Sequence, residues 1–455
     1  MRHSPNLTDS FHSSPVISAK CSTPESSREK ISINCIQSMQ NYGVNSTICG
    51  YSIDFISVKH EEEQMAENSH QGRQWLWLLI TGLAMVALAT FIIPAHGWFH
   101  AIILGLGGLI VVFASSEMMI KAVDGYAKRK KMNSFVAGTM AGLSSNIPEL
   151  VMLAFVLIAT PRIGFIVTVL TLHVGAAVFG LYSVALPRDV EGNAKLPKPL
   201  VGLSTDLYAA AAGVFFSLGV IMLLMKAFEV RGGTNVALNT ADLYVFGTVL
   251  LLIQAVAITR LVKRFSGSHQ PASEEDVPMQ VQTNENLMPV ATIAAFGVVG
   301  LVVSVVGGHA VGEFAGILVE KLAHAGYSEM FGAVILSVFS VSGAFVMIGT
   351  AHVQKKYSIA MANASGAITQ VPFLVLPIAM ILLAAFTQTG VIPAVDHVGG
   401  VIPIDIHTTS AILLGFPSML VLWKAVQDDG KVNWVETSTM IAIFMLVIYL
   451  LVAHG

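Results

Sequence analysis

The sequence predicts an all-α polytopic membrane protein with about 11 transmembrane helices, one leading helix followed by two inverted five-helix repeats. Three observations predict this class: the composition, a series of long apolar segments, and an uneven distribution of basic residues. The 455-residue chain is 54% hydrophobic and only 12% charged, with a mean hydropathy of +0.70. Soluble domains carry about 25% charged residues, so this composition indicates a chain that lies in a bilayer.

The apolar segments define the helices, because a spanning helix needs about 20 predominantly apolar residues. A window of that length finds eleven segments and a polar interruption at 263–287 that separates the sixth from the seventh. The predicted helices cover residues 75–94, 98–120, 134–159, 163–186, 206–227, 242–262, 289–308 with a continuation to about 324, 329–352, 358–386, 408–426 and 434–453.

The basic residues of the connections test this count and give an orientation. Connections on the side of the N-terminus carry fifteen lysines and arginines, and those on the opposite side carry four. Positive residues are enriched on the cytoplasmic side of membrane proteins. The sequence therefore predicts an integral membrane protein of the cell (inner) membrane, with the N-terminus in the cytoplasm and the C-terminus outside.

Four regions follow from the same pattern. Residues 1–72 are rich in Ser, Asn and Glu without a sustained period, which predicts a disordered extension; alternatively the extension is an artefact of the gene model, since Met65 is well placed as a start. Residues 73–262 hold the leading helix and the first repeat. Residues 263–287 form a polar acidic linker, and residues 288–455 hold the second repeat.

Helices 2–6 and 7–11 are two sets of five, and an odd number reverses the orientation of the second set, as in an inverted repeat. An ungapped alignment of helix 3 with helix 8 supports this arrangement. The aligned residues follow one helix face and are small or polar in both repeats. They are Gly138, Gly142, Ser145 and Glu149 in helix 3, and Ala333, Ser337, Ser340 and Ala344 in helix 8.

Glu149, in the stretch GLSSNIPELV of helix 3, is the main candidate for chemistry. A charged residue at a helix centre costs about 2.5–3.5 kcal/mol and usually faces a pathway or a partner. Pro148 cannot donate a hydrogen bond to the carbonyl of Ser144, and Ser145 and Asn146 lie one turn before the glutamate. These oxygens together suit a hard cation. The alternative is a protonated glutamate that forms a hydrogen bond between helices.

Helix 9, which reads SIAMANASGAITQVPFLVLP, is predicted to supply the other wall of the site. Asn363, Gly366 and Gln370 share one face at spacings of three and four residues, and their counterparts in helix 4 are small or polar. Asn and Gln in membrane helices either bridge helices or bind an ion, and both interpretations stay open. The counterparts are Thr168, Thr171 and Gly175.

Other functions find little support in the sequence. There is no nucleotide-binding, zinc-protease or nucleophile-elbow motif. The net charge of −3 argues against nucleic acid, and Cys21, Cys35 and Cys49 show no metal-binding spacing. His173 suits either a proton carrier or a neutral histidine bonded between helices. An intramembrane enzyme using His173 and Glu149 would need a nucleophile or metal cluster, so the prediction is a transporter without a cofactor.

Three stretches carry a resemblance to a known family. SSEMMIKAVDGYAKRKKMNSFVAGTMAGLSSNIPELV resembles a first alpha repeat with a GTSLPELV-type core, and HVQKKYSIAMANASGAITQVPFLVLP resembles the later part of a second repeat. The segment DDGKVNWVETSTMIAIFMLVIYLLVAH is similar to a DGxxNWLEG last-helix motif. Over residues 75–455 the chain resembles the calcium/cation antiporter superfamily, which contains the sodium/calcium exchangers, and its pattern is closest to calcium/proton exchangers.

The resemblance implies a secondary cation antiporter that works by alternating access, exchanging Ca²⁺ or Na⁺ for protons or a second cation at a site in the middle of the membrane. Inorganic cations and the lipid bilayer are its expected partners. Ala344 stands where the family carries a second acid. Two alternatives therefore stay open, a monovalent Na⁺/H⁺ antiporter and a non-transporting membrane homologue. The predicted ion ligands are Glu149, Ser145, Asn146, Ser340, Asn363 and Gln370.

Overall fold

The computed structural model describes residues 74–94, 97–130, 132, 134–196, 198–230, 236–266, 287–353, 355, 357–394, 400–427 and 430–453. The chain divides into the units Met1–Gly72 and Arg73–Gly455, and every described residue belongs to the second. The predicted extension at 1–72 lies outside the described residues, as does most of the predicted linker.

The described part of the chain is built from helices with four short strands in their connections. The helices are α1 (Gln74–Phe91), α2 (Trp98–Arg129), α3 (Ser134–Ala159), α4 (Pro161–Ala185), α5 (Lys198–Ala227), α6 (Thr240–Ser266), α7 (Val290–His324), α8 (Glu329–Val353), α9 (Tyr357–Gln370), α10 (Leu376–Gln388), α11 (Ile406–Leu413), α12 (Gly415–Gln427) and α13 (Trp434–Ala453). The strands are β1 (Ala194–Lys195), β2 (Ala237–Asn239), β3 (Gly400–Pro403) and β4 (Lys431–Val432).

These helices confirm the predicted eleven membrane segments. Among the described residues, ten segments are long and apolar enough to span a membrane, and Trp75–Phe91 in α1 is a shorter apolar helix. The ninth segment contains α9, a π-helical turn at Val371–Val375 and α10. Pro372 lies in this turn and cannot donate a backbone hydrogen bond, and a π turn is one way in which a membrane helix accommodates proline. The tenth segment contains α11 and α12.

α4 is the most enclosed helix: every residue from 163 to 177 is buried. It packs against α3, α8, α9 and α13. Outer helices expose large apolar side chains, such as Leu252 of α6 and Leu446 of α13, each 61% exposed. Large apolar side chains would be unfavourable in water, so this outer face suits contact with lipid.

Two short antiparallel ribbons reveal the inverted repeat. β1, before α5, pairs with β4, before α13. β2, before α6, pairs with β3, before α11. Each ribbon therefore joins the strand before the fourth helix of one repeat to the strand before the fifth helix of the other. The fifth helices also begin alike, because Asn239 with Asp242, and Asn433 with Glu436, exchange backbone-to-side-chain hydrogen bonds of 2.8–3.0 Å.

The packing of α2 against α7 shows the same symmetry. An offset of 195 residues, the one that aligns α3 with α8, relates Gly105 to Gly300 and Met119 to Phe314. A Cβ atom added at Gly105 would lie 2.7 Å from the Phe314 ring, and one added at Gly300 would lie 3.4 Å from the Met119 sulfur. The same contact thus occurs twice, once toward each end of the helix pair.

Candidate cation site

The site is centred on Glu149, in the middle of α3. The hydroxyl of Ser340 on α8 donates a 2.7 Å hydrogen bond to Oε1 of Glu149. Glu149 is not ion-paired with any basic side chain in the described part of the chain. Since α3 and α8 are equivalent helices of the two repeats, this bond connects the repeats at their symmetry-related centres.

Pro148 lies inside α3 immediately before this glutamate, and the helix continues through it. Proline has no N–H to donate to the carbonyl four residues earlier, so it interrupts the helical ladder next to the carboxylate. Neighbouring helices contact α3 close to this interruption. One such contact is the 3.1 Å hydrogen bond from the Ser116 hydroxyl of α2 to the carbonyl of Ser145.

Asn146 and Gln370 form the second connection of the site. The Asn146 amide group donates a hydrogen bond to the side-chain carbonyl of Gln370, which joins α3 to the end of α9. Gly142 and Gly366 leave room for the Gln370 side chain, because a Cβ atom at these positions would lie 3.7 and 3.8 Å from its nitrogen. The two amides thus bridge two helices, which is one of the two interpretations that the sequence left open.

Ser145 and Asn363 are placed differently from the other predicted ligands. The Ser145 hydroxyl donates a 2.8 Å hydrogen bond to the carbonyl of Gly142 in its own helix. Asn363 is partly buried in α9, seven residues before Gln370. That separation corresponds to about 10 Å along a helix axis. Asn363 forms no hydrogen bond with the other five predicted ligands, so the structure directly joins only two pairs, Glu149 with Ser340 and Asn146 with Gln370.

Only one carboxylate lies in this cluster of described residues. Ala344, the counterpart of Glu149, is one helical turn beyond Ser340 on α8. Glu313 of α7 faces His100 instead, with 3.9 Å between its Oε1 and the imidazole Nε2. Gly308 and Gly312 pack against Met152 and Phe155 of α3, which sets Glu313 at least six residues beyond Glu149, about 9 Å along the helix axis. Glu313 is therefore not a direct second acid of the site in this conformation.

The polar side chains of α4 are satisfied within the protein. The two ring nitrogens of His173 lie 3.1 Å from the Ser418 hydroxyl and 3.0 Å from the carbonyl of Ala411, so the ring connects α4 to α11 and α12. The hydroxyls of Thr168 and Thr171 donate to carbonyls of their own helix. The histidine thus bridges helices, which is the second of the two roles open to it from the sequence.

Two hydroxyl contacts next to the site were not predicted from the sequence, one made by Ser116 and the other by Tyr208 with Ser365. Ser116 connects α2 to α3 as described above, and Tyr208 of α5 lies 2.5 Å from the Ser365 hydroxyl, next to Gly366 of α9. A lone serine or tyrosine in an apolar helix gives no periodic signal. Only the positions of Ser116 within the first-repeat motif and Ser365 within the second-repeat motif were available as an indication.

Comparisons with known proteins agree with this architecture. Residues 296–453 match the sequence model of the family described as sodium/calcium exchanger protein. This region covers most of the second repeat, in which Ala344 lies, and does not include Glu149. No curated protein sequence matches the chain.

Two solved structures share the fold. The H⁺/Ca²⁺ exchanger CAX superposes with a TM-score of 0.55 at 12% identity, covering 84% of this chain and 92% of that one. YfkE superposes with a TM-score of 0.54 at 13% identity, covering 83% of this chain and 99% of that one. At this identity the likeness shows the fold. With the family match and the two inverted repeats, it confirms the resemblance of this chain to the calcium/cation antiporter superfamily.

Proposed function

We propose that the protein is a secondary cation antiporter in which a cation and protons compete for Glu149. The carrying observation is the hydrogen bond from Ser340 to Glu149, which places the carboxylate between equivalent helices of two inverted repeats. The fold shared with the H⁺/Ca²⁺ exchanger CAX supports the proposal. An enzymatic reaction is not part of it, and the ions themselves are the only small partners it requires.

The chemistry at Glu149 explains how exchange would proceed. The Ser340 hydroxyl now donates to the carboxylate, but a cation bound to Glu149 would take that place and could use an oxygen lone pair of the same hydroxyl. A proton on the carboxylate removes its charge and releases the cation. The Asn146 amide group donates to the side-chain oxygen of Gln370, so this Gln370 oxygen could become an ion ligand by exchanging that hydrogen bond for the ion.

The ion is proposed to be Ca²⁺, with Na⁺/H⁺ exchange as the alternative. A single carboxylate leaves one positive charge on bound Ca²⁺, and an uncompensated charge is costly in an apolar interior. Na⁺ bound to Glu149 would be neutral. Ala344 therefore favours the monovalent ion on electrostatic grounds, whereas the family resemblance favours calcium. The predicted placement in the cell membrane, with the N-terminus in the cytoplasm, would make this an exchange across the cell boundary.

Flux measurements in proteoliposomes test the proposal. Ca²⁺, Na⁺ and K⁺ are supplied separately against a pH gradient, with the wild-type chain and with Glu149→Gln, which keeps the shape of the side chain and removes its charge. We expect coupled flux in the wild type and background flux in the variant. The matched control is Glu320→Gln, because Glu320 is exposed and its ion pair in the described part of the chain is with His324, at the end of α7.

A non-transporting homologue is the second candidate, favoured by the single carboxylate and by the closed Asn146–Gln370 contact. It predicts no flux of any of the three cations above protein-free vesicles. Exchange at the wild-type rate in folded Glu149→Gln would instead contradict the role of Glu149, although the protein would still be a transporter. The two results are distinct, because the first concerns activity and the second concerns the residue that supports it.

A further inference from the structure

A buried histidine and a carboxylate face each other between α2 and α7, away from Glu149. His100 is 3% exposed, and neither of its ring nitrogens has a hydrogen-bond partner among the described residues. Its Nε2 lies 3.9 Å from Oε1 of Glu313, whose side chain is 47% exposed. A buried polar group without a partner costs about 1–3 kcal/mol, so a neutral His100 is poorly accommodated here.

The inverted repeat shows that packing does not require this pair. The offset of 195 residues relates His100 to Ala295 and Glu313 to Met118, and neither counterpart can titrate. Around them the helices repeat the same contact, with Phe314 against Gly105 at one end and Met119 against Gly300 at the other. The polar pair is therefore an addition to one end of a symmetric helix pair.

Among the described residues, Glu313 is the group that forms an ion pair with His100. α1 contains no acidic, basic or histidine residue, and α2 contains none between His100 and Glu117. On α7, His309 is four residues from Glu313 and packs its ring against Phe155 of α3, with 5.5 Å between centroids. Glu313 is thus the charged group that faces His100 in the described part of the chain.

We infer that His100 and Glu313 form a proton-binding site separate from the Glu149 cluster. A hydronium ion of the solvent gives its proton to the imidazole: one O–H bond breaks, one N–H bond forms, a water molecule is left, and the neutral ring becomes a cation beside a carboxylate. The protonated pair is an ion pair between α2 of the first repeat and α7 of the second. Protonation would therefore strengthen the connection between the two repeats at this end only.

The consequence for transport rests on the proposed function. Under the predicted orientation, the start of α2 and the end of α7 lie on the outer side of the membrane. The pair would make exchange sensitive to the pH outside, independently of the proton that competes at Glu149. The proton site can exist whether or not the protein transports ions, so the site can be tested without a transport assay.

The first test uses thermal unfolding of the purified full-length protein in detergent at pH values between about 5 and 8, where an imidazole titrates. His100→Ala/Glu313→Met installs the residues of the symmetry-related position. We expect the melting temperature of the wild type, relative to this variant, to be about 2 °C higher at pH 5 than at pH 8. The space left by the smaller side chain lowers stability equally at both pH values, so only the difference between them reports the proton.

His100→Gln and Asp124→Asn complete the test. His100→Gln nearly preserves volume and should show the same change with pH even if the double variant fails to fold. Asp124→Asn removes an exposed carboxylate that pairs with Lys128 on α2 and should follow the wild type. A melting difference between wild type and His100→Gln that is constant from pH 5 to pH 8 overturns the inference, whatever the flux assay shows.

Flux then tests the consequence. In vesicles, His100→Gln should lose part of the dependence on pH on one side of the membrane and keep the dependence on the other side. An identical pH profile for wild type and variant on both sides would remove the role in transport. Absence of wild-type flux would count against the antiporter, and the melting experiment would still decide the proton site.

Discussion

In the first repeat, α3 carries Asn146, Pro148 and Glu149 at its centre, whereas α8 of the second repeat carries Val341, Gly343 and Ala344 at the equivalent positions. The connections and helix starts of the surrounding scaffold show no such difference. Both repeats contribute one strand to each ribbon, and both begin their fifth helix with the same reciprocal cap. The symmetry of the scaffold is therefore retained where chemistry at the centre has diverged.

Under the proposed function, this difference gives the two repeats different roles at the ion site. The first repeat supplies the charge, through Glu149, and the second supplies neutral oxygen-bearing groups, through Ser340 and Gln370. In a symmetric site, exchange of the two repeats would leave the ligands unchanged. Here it would not, so under the proposed function the two directions of access would present different side chains to the ion.

Restoring the acid of the second repeat should have the largest effect. Ala344→Glu places a second carboxylate one turn from Ser340, and a divalent ion gains more than a monovalent ion from an added negative charge. We expect the preference for Ca²⁺ over Na⁺ to rise about tenfold, which corresponds to about 1.4 kcal/mol. Competition between the two ions in proteoliposome flux measures the ratio. Unchanged selectivity in a folded variant would mean that residue 344 does not face the ion.

The contact between Asn146 and Gln370 should have a smaller effect. If the two amides act as one interhelical connection, Asn146→Ala and Gln370→Ala should not be additive. A double-mutant cycle on melting temperature or on apparent ion affinity should give a coupling of about 1 kcal/mol, as for a single hydrogen bond. Independent, additive effects would instead indicate that each amide contacts the ion separately. Thr389→Ala, at the exposed end of α10, is the control.

The two ribbons sharpen the comparison through their ion pairs. Near the β2–β3 ribbon, Arg162 of the first repeat pairs with Asp405 of the second at 2.6 Å, and near the β1–β4 ribbon Lys431 of the second repeat pairs with Asp189 of the first at 2.9 Å. Near the β2–β3 ribbon the first repeat supplies the basic residue and the second repeat the acidic one, and near the β1–β4 ribbon these roles are reversed. Arg162 also pairs with Glu329, at the start of α8.

The contribution of Asp405 to stability should depend on pH. Burial acts to raise the pKa of the Asp405 carboxyl, but the backbone N–H of Thr408, the Arg162 guanidinium and the Thr408 hydroxyl outweigh it and hold the pKa below its usual value. Such a group stabilises the fold above the pKa of the unfolded chain, about 3.9, and this contribution is lost as the pH falls through the lower folded value.

Asp405→Asn keeps an oxygen for the Thr408 N–H but removes the charge that pairs with Arg162, so it should destabilise the protein by about 1 kcal/mol at pH 7. The difference from wild type should begin to shrink as the pH falls below about 4, where the carboxyl of the unfolded chain takes up a proton, and should disappear only below the lower pKa of folded Asp405. Melting temperatures across pH measure it. At the other end, hydrogen bonds from the Asn193 N–H and Lys431 lower the pKa of Asp189, so Asp189→Asn should show the same direction of change. A gap at Asp405 that widens in acid would contradict the assignment.

The smallest effect is expected from the region outside both repeats. Deleting residues 1–64, with Met65 as the start, should leave membrane insertion and flux unchanged, because the sequence assigns the helices and the site to later residues. Membrane fractionation and the proteoliposome assay check this. Loss of insertion on truncation would show that the extension takes part in assembly.

The helices could be predicted from the sequence because each is a local apolar run of known minimum length. The ribbons could not, since each strand has only two to four residues and its partner lies in the other repeat. The same limit applies within the site. Glu149 and Ser340 were predicted separately from polarity and helix position, but their mutual bond, and that of Asn146 with Gln370, depends on how distant helices pack.

The ribbons also bear on how the protein is made. A two-stranded ribbon is only marginally stable and neither strand can pair alone. β1 and β2 are synthesised with the first repeat, but their partners β3 and β4 are translated only after most of the second repeat. The first half of the nascent chain therefore enters the bilayer with both of its strands unpaired. Pairing of both ribbons is therefore complete only after translation of the segment immediately before α13.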